Sequence, residues 1–361
     1  MPLLDSPLFT TPPREVCILR LSAIGDVCHA LAVVRTLQQA WPGTRFTWVI
    51  GKLEARLFKG IDDIEFIVFD KGKGLAAYLE LRRAMRGRRF DLLLHMQLAL
   101  RASVASALIP ARIRLGFDRG RARELQWLFT NTRIRPAGNQ HVLDSLFGFA
   151  ERLGVHDKHL RWDIPVGRDA LDHAERVIPD GRSTLVISPC SSHAARNWRP
   201  EYYARVADYA AGVLGLHVLL CGGPSAIERQ MGDAILAHMQ QPCTDLIGKD
   251  TLPALLATLA RATVVLTPDS GPAHMATAVG TPVVGLYAAT NPARSGPYLS
   301  RQWCVDRYDA AARQFLKKPA TDIAWTTKIE EPGVMDLIQP EDVIKKLHAV
   351  LSQLARRSHR H

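Results

Sequence analysis

The sequence predicts an α/β protein with two doubly wound parallel-sheet domains. Short apolar runs typical of buried strands alternate with helical stretches along both halves of the chain. The length of 361 residues is enough for two domains, each with its own core. A polar, charged segment separates the alternating strands and helices of the first half from those of the second. We therefore expect an N-terminal domain over 1–160, a linker over 161–183, a C-terminal domain over 184–340, and a final helix and tail over 341–361.

The apolar runs locate the individual elements. Strands are expected at 16–21, 46–51, 64–69, 90–95 and 113–117 in the first half, and at 185–188, 217–221, 263–267 and 283–287 in the second. Helices are expected at 201–213, 225–240 and 252–261, with a last helix from Pro340 to about residue 354. Open parallel sheets bind ligands at the carboxyl ends of their strands, so two such domains predict a central cleft between those ends.

Composition limits the class of protein. The apolar fraction of 47% and charged fraction of 22% are ordinary for a globular domain. No apolar stretch approaches the ~20 residues that span a bilayer, and segment 1–14 lacks the basic start of a signal peptide. The six cysteines are scattered without a CxxC pair, which fits a reducing compartment and argues against structural zinc. These features predict a cytoplasmic protein.

Charge is concentrated in one region. The net charge is +11, and thirteen arginines lie between Arg82 and Arg135 against Asp91, Asp118 and Glu124. An anionic partner is expected there, with nucleic acid, lipid headgroups and a phosphorylated sugar all compatible. A solvated basic face explains the same pattern.

The segment from Asp269 to His274 is the most informative motif. It lies between the predicted strand 263–267 and a short helix that Gly280 ends. Ser270 suits an N-cap, and Gly271 lets the backbone approach a ligand. The free N–H groups at the helix start would then face a phosphate, while Asp269 accepts hydrogen bonds from hydroxyls. Phosphate and polyol together suggest a nucleotide sugar.

The loop 22–26 follows the first predicted strand. Asp26 would stand at a helix start, where the helix dipole favours the carboxylate. A carboxylate at the strand ends can remove a proton from a hydroxyl nucleophile. The same residue can equally be a helix cap. The loop is not a dinucleotide-binding fingerprint, because it lacks GxGxxG.

Two loops of the second half offer further anion-binding groups. Ser191 and Ser192 can donate hydrogen bonds to phosphate, and Arg196 can bind a diphosphate bidentately. After the glycine pair 222–223, Glu228 can hold ribose hydroxyls, or the segment is simply a tight turn with an exposed glutamate. The loop 287–298 is long enough to line a site. No DxD metal pair, Walker A, HExxH or GxSxG motif is present, so we expect no metal and no nucleophilic hydrolase.

Together these motifs resemble glycosyltransferase family 9, the lipopolysaccharide heptosyltransferases. The resemblance extends over about 16–354 and rests on loop 22–27, the basic residue before Trp198, Gly223-Pro224 with Glu228, the segment 269–274, and 291–294. Segments 114–118, 122–124 and 127–131 look most like the enzymes that add the first heptose to Kdo.

The resemblance implies a GT-B fold and an inverting transfer from ADP-heptose that requires no metal or cofactor. The acceptor would be Kdo-lipid A at the cytoplasmic face of the inner membrane, with no nucleic acid partner expected. The N-terminal domain would carry the catalytic base and bind the acceptor, and the C-terminal domain would bind the donor.

The resemblance also assigns roles to residues. Asp26 matches the catalytic base, and Arg196 stands where the family commonly has Lys, neutralising the leaving ADP. Donor-binding positions are Ser191, Ser192, Glu228, Asp269, Ser270, Gly271 and His274; acceptor-binding positions are Ser22, Lys71, Lys73, Arg101, Arg123 and His141. Arg196, Asn291 in place of Asp, and Ala289 in place of Pro depart from the family pattern. These departures affect sugar specificity more than reaction class.

Three alternatives remain at this stage. One is a GT-B sugar-nucleotide epimerase or hydrolase, and another is a family 9 transferase with a different acceptor. The third is a non-enzymatic binder of nucleic acid or an anionic surface, which the arginine cluster motivates. Aromatic residues make up only 7% of the chain and form no stacking stripe near the arginines, which argues against nucleic acid.

Overall fold

The computed structural model describes residues 8–358 and divides the chain into two compact units. One extends to Pro165 and the other begins at Val166. Each contains a six-stranded parallel sheet with helices, so the predicted α/β class is confirmed. The first seven residues of segment 1–14, for which we expected no signal peptide, lie outside the described residues, as do the last three of the predicted tail.

The first unit follows a repeating strand–helix order. Its elements are β1 (Glu15–Leu19), α1 (Ile24–Ala40), β2 (Arg45–Gly51), α2 (Lys52–Leu57), β3 (Glu65–Phe69), α3 (Leu75–Ala84), β4 (Phe90–His95), α4 (Leu100–Ala107), β5 (Ala111–Gly116), β6 (Thr132–Arg133) and α5 (Val142–Arg152). The strand order is β3-β2-β1-β4-β5-β6, with every neighbouring pair parallel.

The apolar pattern of the first unit explains its layers. β1 is buried along Val16 to Leu19, because a central parallel strand is covered on both faces. Cys17 and Leu19 belong to one buried cluster with Ala77 and Leu81 of α3 and with Ala102 and Ala105 of α4. Helices α3 and α4 therefore cover the same face of the sheet, each through residues three or four positions apart.

The second unit repeats the architecture. Its elements are α6 (Arg168–Val177), β7 (Thr184–Ile187), α7 (Pro200–Gly212), β8 (His217–Leu220), α8 (Ala226–His238), β9 (Thr244–Asp245), α9 (Leu252–Arg261), β10 (Val264–Pro268), α10 (Gly271–Ala278), β11 (Val283–Tyr287), α11 (Pro292–Ser295), β12 (Val305–Asp306), α12 (Tyr308–Leu316) and α13 (Pro340–Ser358). The strand order is β12-β11-β10-β7-β8-β9, again parallel throughout.

The segment predicted as a linker, 161–183, is divided between the two units. Trp162 is buried in the first unit, where its indole N–H donates a hydrogen bond of 2.8 Å to the carbonyl of Cys28. Beyond the boundary lies α6, whose Ala170 and Ala174 pack against alanines of α9. The segment looks polar because α6 buries only a narrow face of small residues.

The C-terminal helix is part of the second unit's core. We expected it as a separate element over 341–361, but α13 buries Val343, Leu347 and Val350 completely in the main cluster of that unit. The spacing of four and three residues places all three side chains on one helix face. The described part of this helix therefore belongs to the unit that contains the 269–274 segment.

Candidate active site

Asp26 lies in the first turn of α1, directly after the loop that follows β1. Its Oδ2 accepts a hydrogen bond of 3.3 Å from the backbone N–H of Ala23, which precedes the helix. The same oxygen is ion-paired with Arg20. About a third of the Asp26 side chain, 35%, remains exposed. The carboxylate thus caps the helix and is still open to a ligand, so the two sequence interpretations are compatible.

Arg20 is a site residue that the sequence did not reveal. It follows β1 at the end of an apolar run, and its side chain is only 11% exposed. One Nη atom donates to the carbonyl of Met96 and the other pairs with Asp26. Arg20 therefore connects the proposed base to the end of β4.

Gln97 holds the loop between β1 and α1. Its Oε1 accepts hydrogen bonds from the N–H of Leu21 at 2.5 Å and of Ser22 at 3.3 Å. Its Nε2 donates to the hydroxyl of Ser22 at 3.3 Å. The Ser22–Ala23 peptide in this loop is cis. Gln97 follows β4, so the neighbouring strand end fixes the backbone that leads to Asp26.

A second glutamine, Gln126, anchors Gln97 in turn. Its Nε2 lies 2.8 Å from the carbonyl of His95, 3.0 Å from that of Gln97 and 3.0 Å from Nδ1 of His95. Its Oε1 accepts a hydrogen bond of 3.1 Å from the N–H of Phe117. Burial, reinforced by the positive charge of Arg114, lowers the pKa of His95 to about 3. The imidazole is therefore neutral.

A cavity of about 370 Å³ in the first unit brings together half of the predicted acceptor residues. Ser22, Lys71 and Arg101 line it, together with Glu54 and Asp70. The side chains of Lys71 and Arg101 make no hydrogen bond and no salt bridge among the described residues. Burial raises the pKa of Glu54, and the charge of Lys71 partly opposes the shift. The cavity therefore offers unpaired cations to an acidic ligand.

The other three predicted acceptor residues do not line this cavity. Lys73 is paired with Glu80 at 2.8 Å. Arg123 is exposed and donates to the carbonyls of its own loop. His141 is buried at the start of α5, where its Nδ1 accepts a hydrogen bond of 3.1 Å from the N–H of Leu143. These contacts are local, and a role for the three residues in acceptor binding stays a prediction.

In the second unit, Arg196 and Asp269 form a largely buried pair. The Arg196 Nη1 lies 3.2 Å from Oδ2 of Asp269 and 3.3 Å from its carbonyl oxygen. The two side chains are 13% and 10% exposed. The hydroxyl of Ser295 donates to the same Oδ2 at 3.2 Å. The structure thus joins three loops, those following β7, β10 and β11, around one carboxylate.

The start of α10 has the form that the sequence predicts for a phosphate site. Ser270 is the N-cap residue and Gly271 is the first helical residue. The hydroxyl of Ser270 pairs with that of Thr267 at 2.7 Å and makes no capping hydrogen bond to the helix. The N–H groups of the first turn are therefore not capped by this side chain and are suited to an anion. His274 lies further along α10 and is 8% exposed.

The loop after β7 presents polar groups beside Arg196. The Ser191 N–H donates to the amide oxygen of Asn197 at 2.7 Å, and Ser192 is exposed. The pKa of His193 is lowered by partial burial and by the charges of Arg196 and Lys328. Lys328 was not predicted, because nothing in the sequence around it indicates a site. The N–H of the next residue, Ile329, bonds to Ala289 at 2.9 Å and holds this segment at the end of β11.

Glu228 stabilises the turn after β8. Its Oε1 accepts from the N–H of Gly223 at 2.8 Å, and its Oε2 accepts from the hydroxyl of Ser225 at 2.9 Å. The Ser225 hydroxyl in turn accepts from the Glu228 N–H at 3.3 Å and so caps the start of α8. A Cβ at Gly223 would lie 2.8 Å from the carboxylate, which explains the glycine. Asn291 similarly caps α11, accepting from the Ala293 N–H at 2.9 Å.

Between residues 8 and 358, no three His, Cys, Asp or Glu side chains are grouped so that they could hold a metal ion. No helix in that part of the chain combines the length and apolar character needed to cross a membrane.

Comparison with known proteins finds relatives over nearly the whole chain. Residues 78–324 match the family model described as glycosyltransferase family 9 (heptosyltransferase). The lipopolysaccharide core heptosyltransferase OpsX of Haemophilus influenzae is 42% identical over 341 residues, covering 94% of this chain and 98% of that protein.

Solved structures show the same architecture. A family 9 glycosyl transferase from Veillonella parvula has a TM-score of 0.78 at 23% identity, covering 94% of this chain and 97% of that one. E. coli heptosyltransferase WaaC with ADP-2-deoxy-2-fluoro heptose has a TM-score of 0.63 at 22% identity, covering 84% of this chain and 99% of the WaaC chain. These likenesses confirm the GT-B fold that the sequence resemblance implied.

Proposed function

The chain belongs to glycosyltransferase family 9, the heptosyltransferases, and we propose that it transfers L-glycero-D-manno-heptose from ADP-heptose to Kdo of the lipopolysaccharide inner core. The relative from H. influenzae is a lipopolysaccharide core heptosyltransferase, which supports the pathway class of the acceptor. The E. coli enzyme was solved with a fluorinated ADP-heptose, which supports the donor.

One observation carries the acceptor half of this proposal. Asp26 is a partly exposed carboxylate in the first turn of α1, directly after the loop whose Ser22 lines the cationic cavity. Kdo is a carboxylated sugar, and Lys71 and Arg101 offer it two unpaired cations. An acidic sugar bound there presents its hydroxyls near the loop that carries a base.

The proposed reaction is a single displacement at the anomeric carbon of heptose. Asp26 takes the proton from the Kdo hydroxyl as its oxygen attacks, and the bond from the anomeric carbon to the diphosphate breaks with inversion. ADP leaves with the electron pair. Arg196, held on Asp269, stabilises the charge that develops on the diphosphate. We further propose that no metal or cofactor is required, so EDTA should leave the rate unchanged.

The other donor contacts follow from the second unit. The first turn of α10, with Ser270 and Gly271, is suited to the phosphates. Asp269 would hold heptose hydroxyls through the oxygen that Ser295 and Arg196 do not occupy. Glu228 is engaged in its turn but is only partly buried, so it remains available to ribose hydroxyls. Ser191, Ser192 and His274 complete the proposed set.

Release of ADP with and without acceptor tests the reaction class. The full chain is incubated with ADP-heptose in EDTA, with Kdo-lipid A, with its Kdo-phosphorylated form, or with neither, and ADP is quantified by chromatography. The proposal predicts ADP release only when an acceptor is present. Equal release without acceptor would instead indicate a hydrolase, and loss of ADP-heptose without ADP would indicate an epimerase.

A further inference from the structure

Large apolar side chains are exposed at one edge of the first sheet. Leu53, Leu75, Leu100, Trp127 and Leu128 are 51%, 82%, 45%, 53% and 59% exposed; we call these five residues the apolar rim. Single exposed apolar residues are normal on a protein surface, but a group of this size on one edge requires an explanation.

The topology places the five residues together. Leu53, Leu75 and Leu100 lie in the first two residues of α2, α3 and α4, the helices that follow the carboxyl ends of β2, β3 and β4. Trp127 and Leu128 lie in the loop that follows β5. These strands are parallel and lie within one sheet, so their carboxyl ends share one edge. The rim therefore occupies the edge at which ligands bind in such sheets.

Two contacts join the parts of the rim. The Glu124 carboxylate accepts a hydrogen bond of 2.5 Å from the N–H of Leu100, which fixes the loop of Trp127 to the start of α4. The Tyr78 hydroxyl donates to the carbonyl of Arg101 at 3.4 Å and connects α3 to α4. Hydrogen bonds therefore connect the loop of Trp127 to α4, and α4 to α3.

Charge at this edge is strongly positive. Lys71 and Arg101 are unpaired among the described residues, and Arg56 lines the same cavity. Of the nearby carboxylates, Asp70 pairs with Lys52 at 3.0 Å, Glu124 bonds to α4, and Glu54 lines the cavity beside Lys71. Arg56 and Arg101 leave this edge with an excess of positive charge, which together with the apolar side chains is complementary to an anionic lipid surface, where acyl chains lie beneath phosphate groups. Tryptophan is favoured at that interface because its ring is amphipathic.

We propose that the apolar rim docks on an anionic phospholipid surface, with its side chains at the level of the headgroups and the cavity of Ser22, Lys71 and Arg101 opening toward the lipid. This inference rests on the proposed function, because docking brings the cavity to an acceptor sugar that is anchored in the bilayer. Leu53 lines that cavity as well as belonging to the rim, which makes the two surfaces continuous.

Vesicle sedimentation tests the docking without donor or acceptor. The probes are vesicles of phosphatidylethanolamine with phosphatidylglycerol and vesicles of phosphatidylcholine alone. The full chain should bind the first and not the second, with binding that weakens as salt is added. The double variant Leu75→Ser/Leu100→Ser should bind roughly tenfold more weakly. The matched control is Val213→Ser/Ile227→Ser, which removes two apolar side chains of similar exposure, 65% and 61%, from the second unit.

Further measurements separate docking from misfolding and from the reaction. Trp127→Phe should abolish most of the vesicle-induced blue shift in tryptophan emission while leaving the thermal midpoint unchanged. Leu75→Ser/Leu100→Ser should slow transfer to Kdo-lipid A in vesicles but leave transfer to a soluble, deacylated Kdo acceptor unchanged. If the wild type fails with the soluble acceptor yet binds anionic vesicles, only the proposed function is refuted. Equal vesicle binding by the rim and control variants would overturn the docking, as would a rim that instead mediates a dimer detected by light scattering.

Discussion

Arg20 and Asp26 are ion-paired across the loop that joins β1 to α1. Arg20 also donates to the carbonyl of Met96, which follows β4. The orientation of the Asp26 carboxylate is therefore fixed relative to the carboxyl end of β4. A general base needs this kind of restraint, since proton transfer depends on a distance fixed to a fraction of an ångström. The pair also keeps a cation beside the carboxylate.

Asp26→Asn should nearly abolish heptose transfer. The amide cannot accept the hydroxyl proton, and loss of a general base typically costs about 10²–10⁴-fold in rate. ADP-heptose affinity should stay within error, because the proposed donor-binding residues lie in the other unit. Steady-state kinetics and calorimetric titration measure the two quantities. Asp62→Asn, an exposed aspartate of the same unit without a described partner, is the matched control. Wild-type turnover by Asp26→Asn would remove the base assignment.

Arg20→Met should lower kcat by roughly tenfold or more and leave the KM for ADP-heptose unchanged. The substitution releases the Asp26 side chain without altering the donor site. Arg20→Lys should recover part of the rate, because it restores the charge but not both hydrogen bonds. A change in the KM for ADP-heptose with kcat unaffected would show that Arg20 does not act through Asp26.

Arg196→Met should reduce kcat by about 10²–10³-fold, the usual effect of removing one charged group from a developing anion. It also leaves Asp269 without its cation. The kcat of Arg196→Lys should lie between those of the wild type and Arg196→Met, since lysine keeps the charge but not the planar guanidinium group. Arg205→Met, which breaks an exposed pair with Glu341, is the control and should change neither kcat nor KM. If Arg196→Met matched this control, the leaving-group role would be wrong.

Gln126→Leu should destabilise the first unit by about 1–3 kcal/mol, because it removes the amide nitrogen that donates to the buried carbonyls of His95 and Gln97. It should also lower kcat, since Gln126 supports Gln97 and the Ser22 loop. Urea unfolding and kinetics of the folded variant measure these effects. Gln39→Leu on the exposed side of α1 is the control. An unchanged free energy of unfolding in Gln126→Leu would show that the hydrogen bonds of Gln126 do not stabilise the first unit.

His95 should make the protein less stable in mild acid. Its pKa in the folded state, about 3, is lower than the ordinary value of 6.5, so the unfolded chain binds the proton more readily between these values. The free energy of unfolding is therefore highest above pH 6.5 and falls by ~1.4 kcal/mol per pH unit below it. Urea unfolding between pH 7 and 5 should show roughly 2 kcal/mol of loss that His95→Asn removes. The exposed His156→Asn should retain the wild-type slope, and an identical slope in His95→Asn would contradict the assignment.

Most of the fold could be predicted because its strands are buried on both faces. A central parallel strand such as β10 is a continuous apolar run, which sequence patterns detect directly. The two-residue strands β6, β9 and β12 were not predicted, since a pattern needs about four residues to show a period. Helix α6 was predicted as linker because its small alanine face carries almost no hydrophobic signal.

The candidate site was predictable where a local motif carries it. The loop of Asp26 and the segment of Asp269 combine small residues, a carboxylate and a helix start in short stretches of sequence. Arg20, Gln97 and Gln126 escaped prediction because their partners lie up to 76 residues away and only the sheet brings them together. Their role is tertiary, and one polar residue in an apolar run gives no indication of it.

The mass of Kdo-lipid A after incubation with ADP-heptose tests both the proposed heptose transfer and the role of Asp26 in it. Wild type and Asp26→Asn are compared in buffer containing EDTA, and the lipid product is weighed by mass spectrometry. We expect a gain of one heptose with the wild type and none with the variant over the same time. No gain with the wild type while ADP-heptose is bound, or the same gain with both proteins, would contradict it.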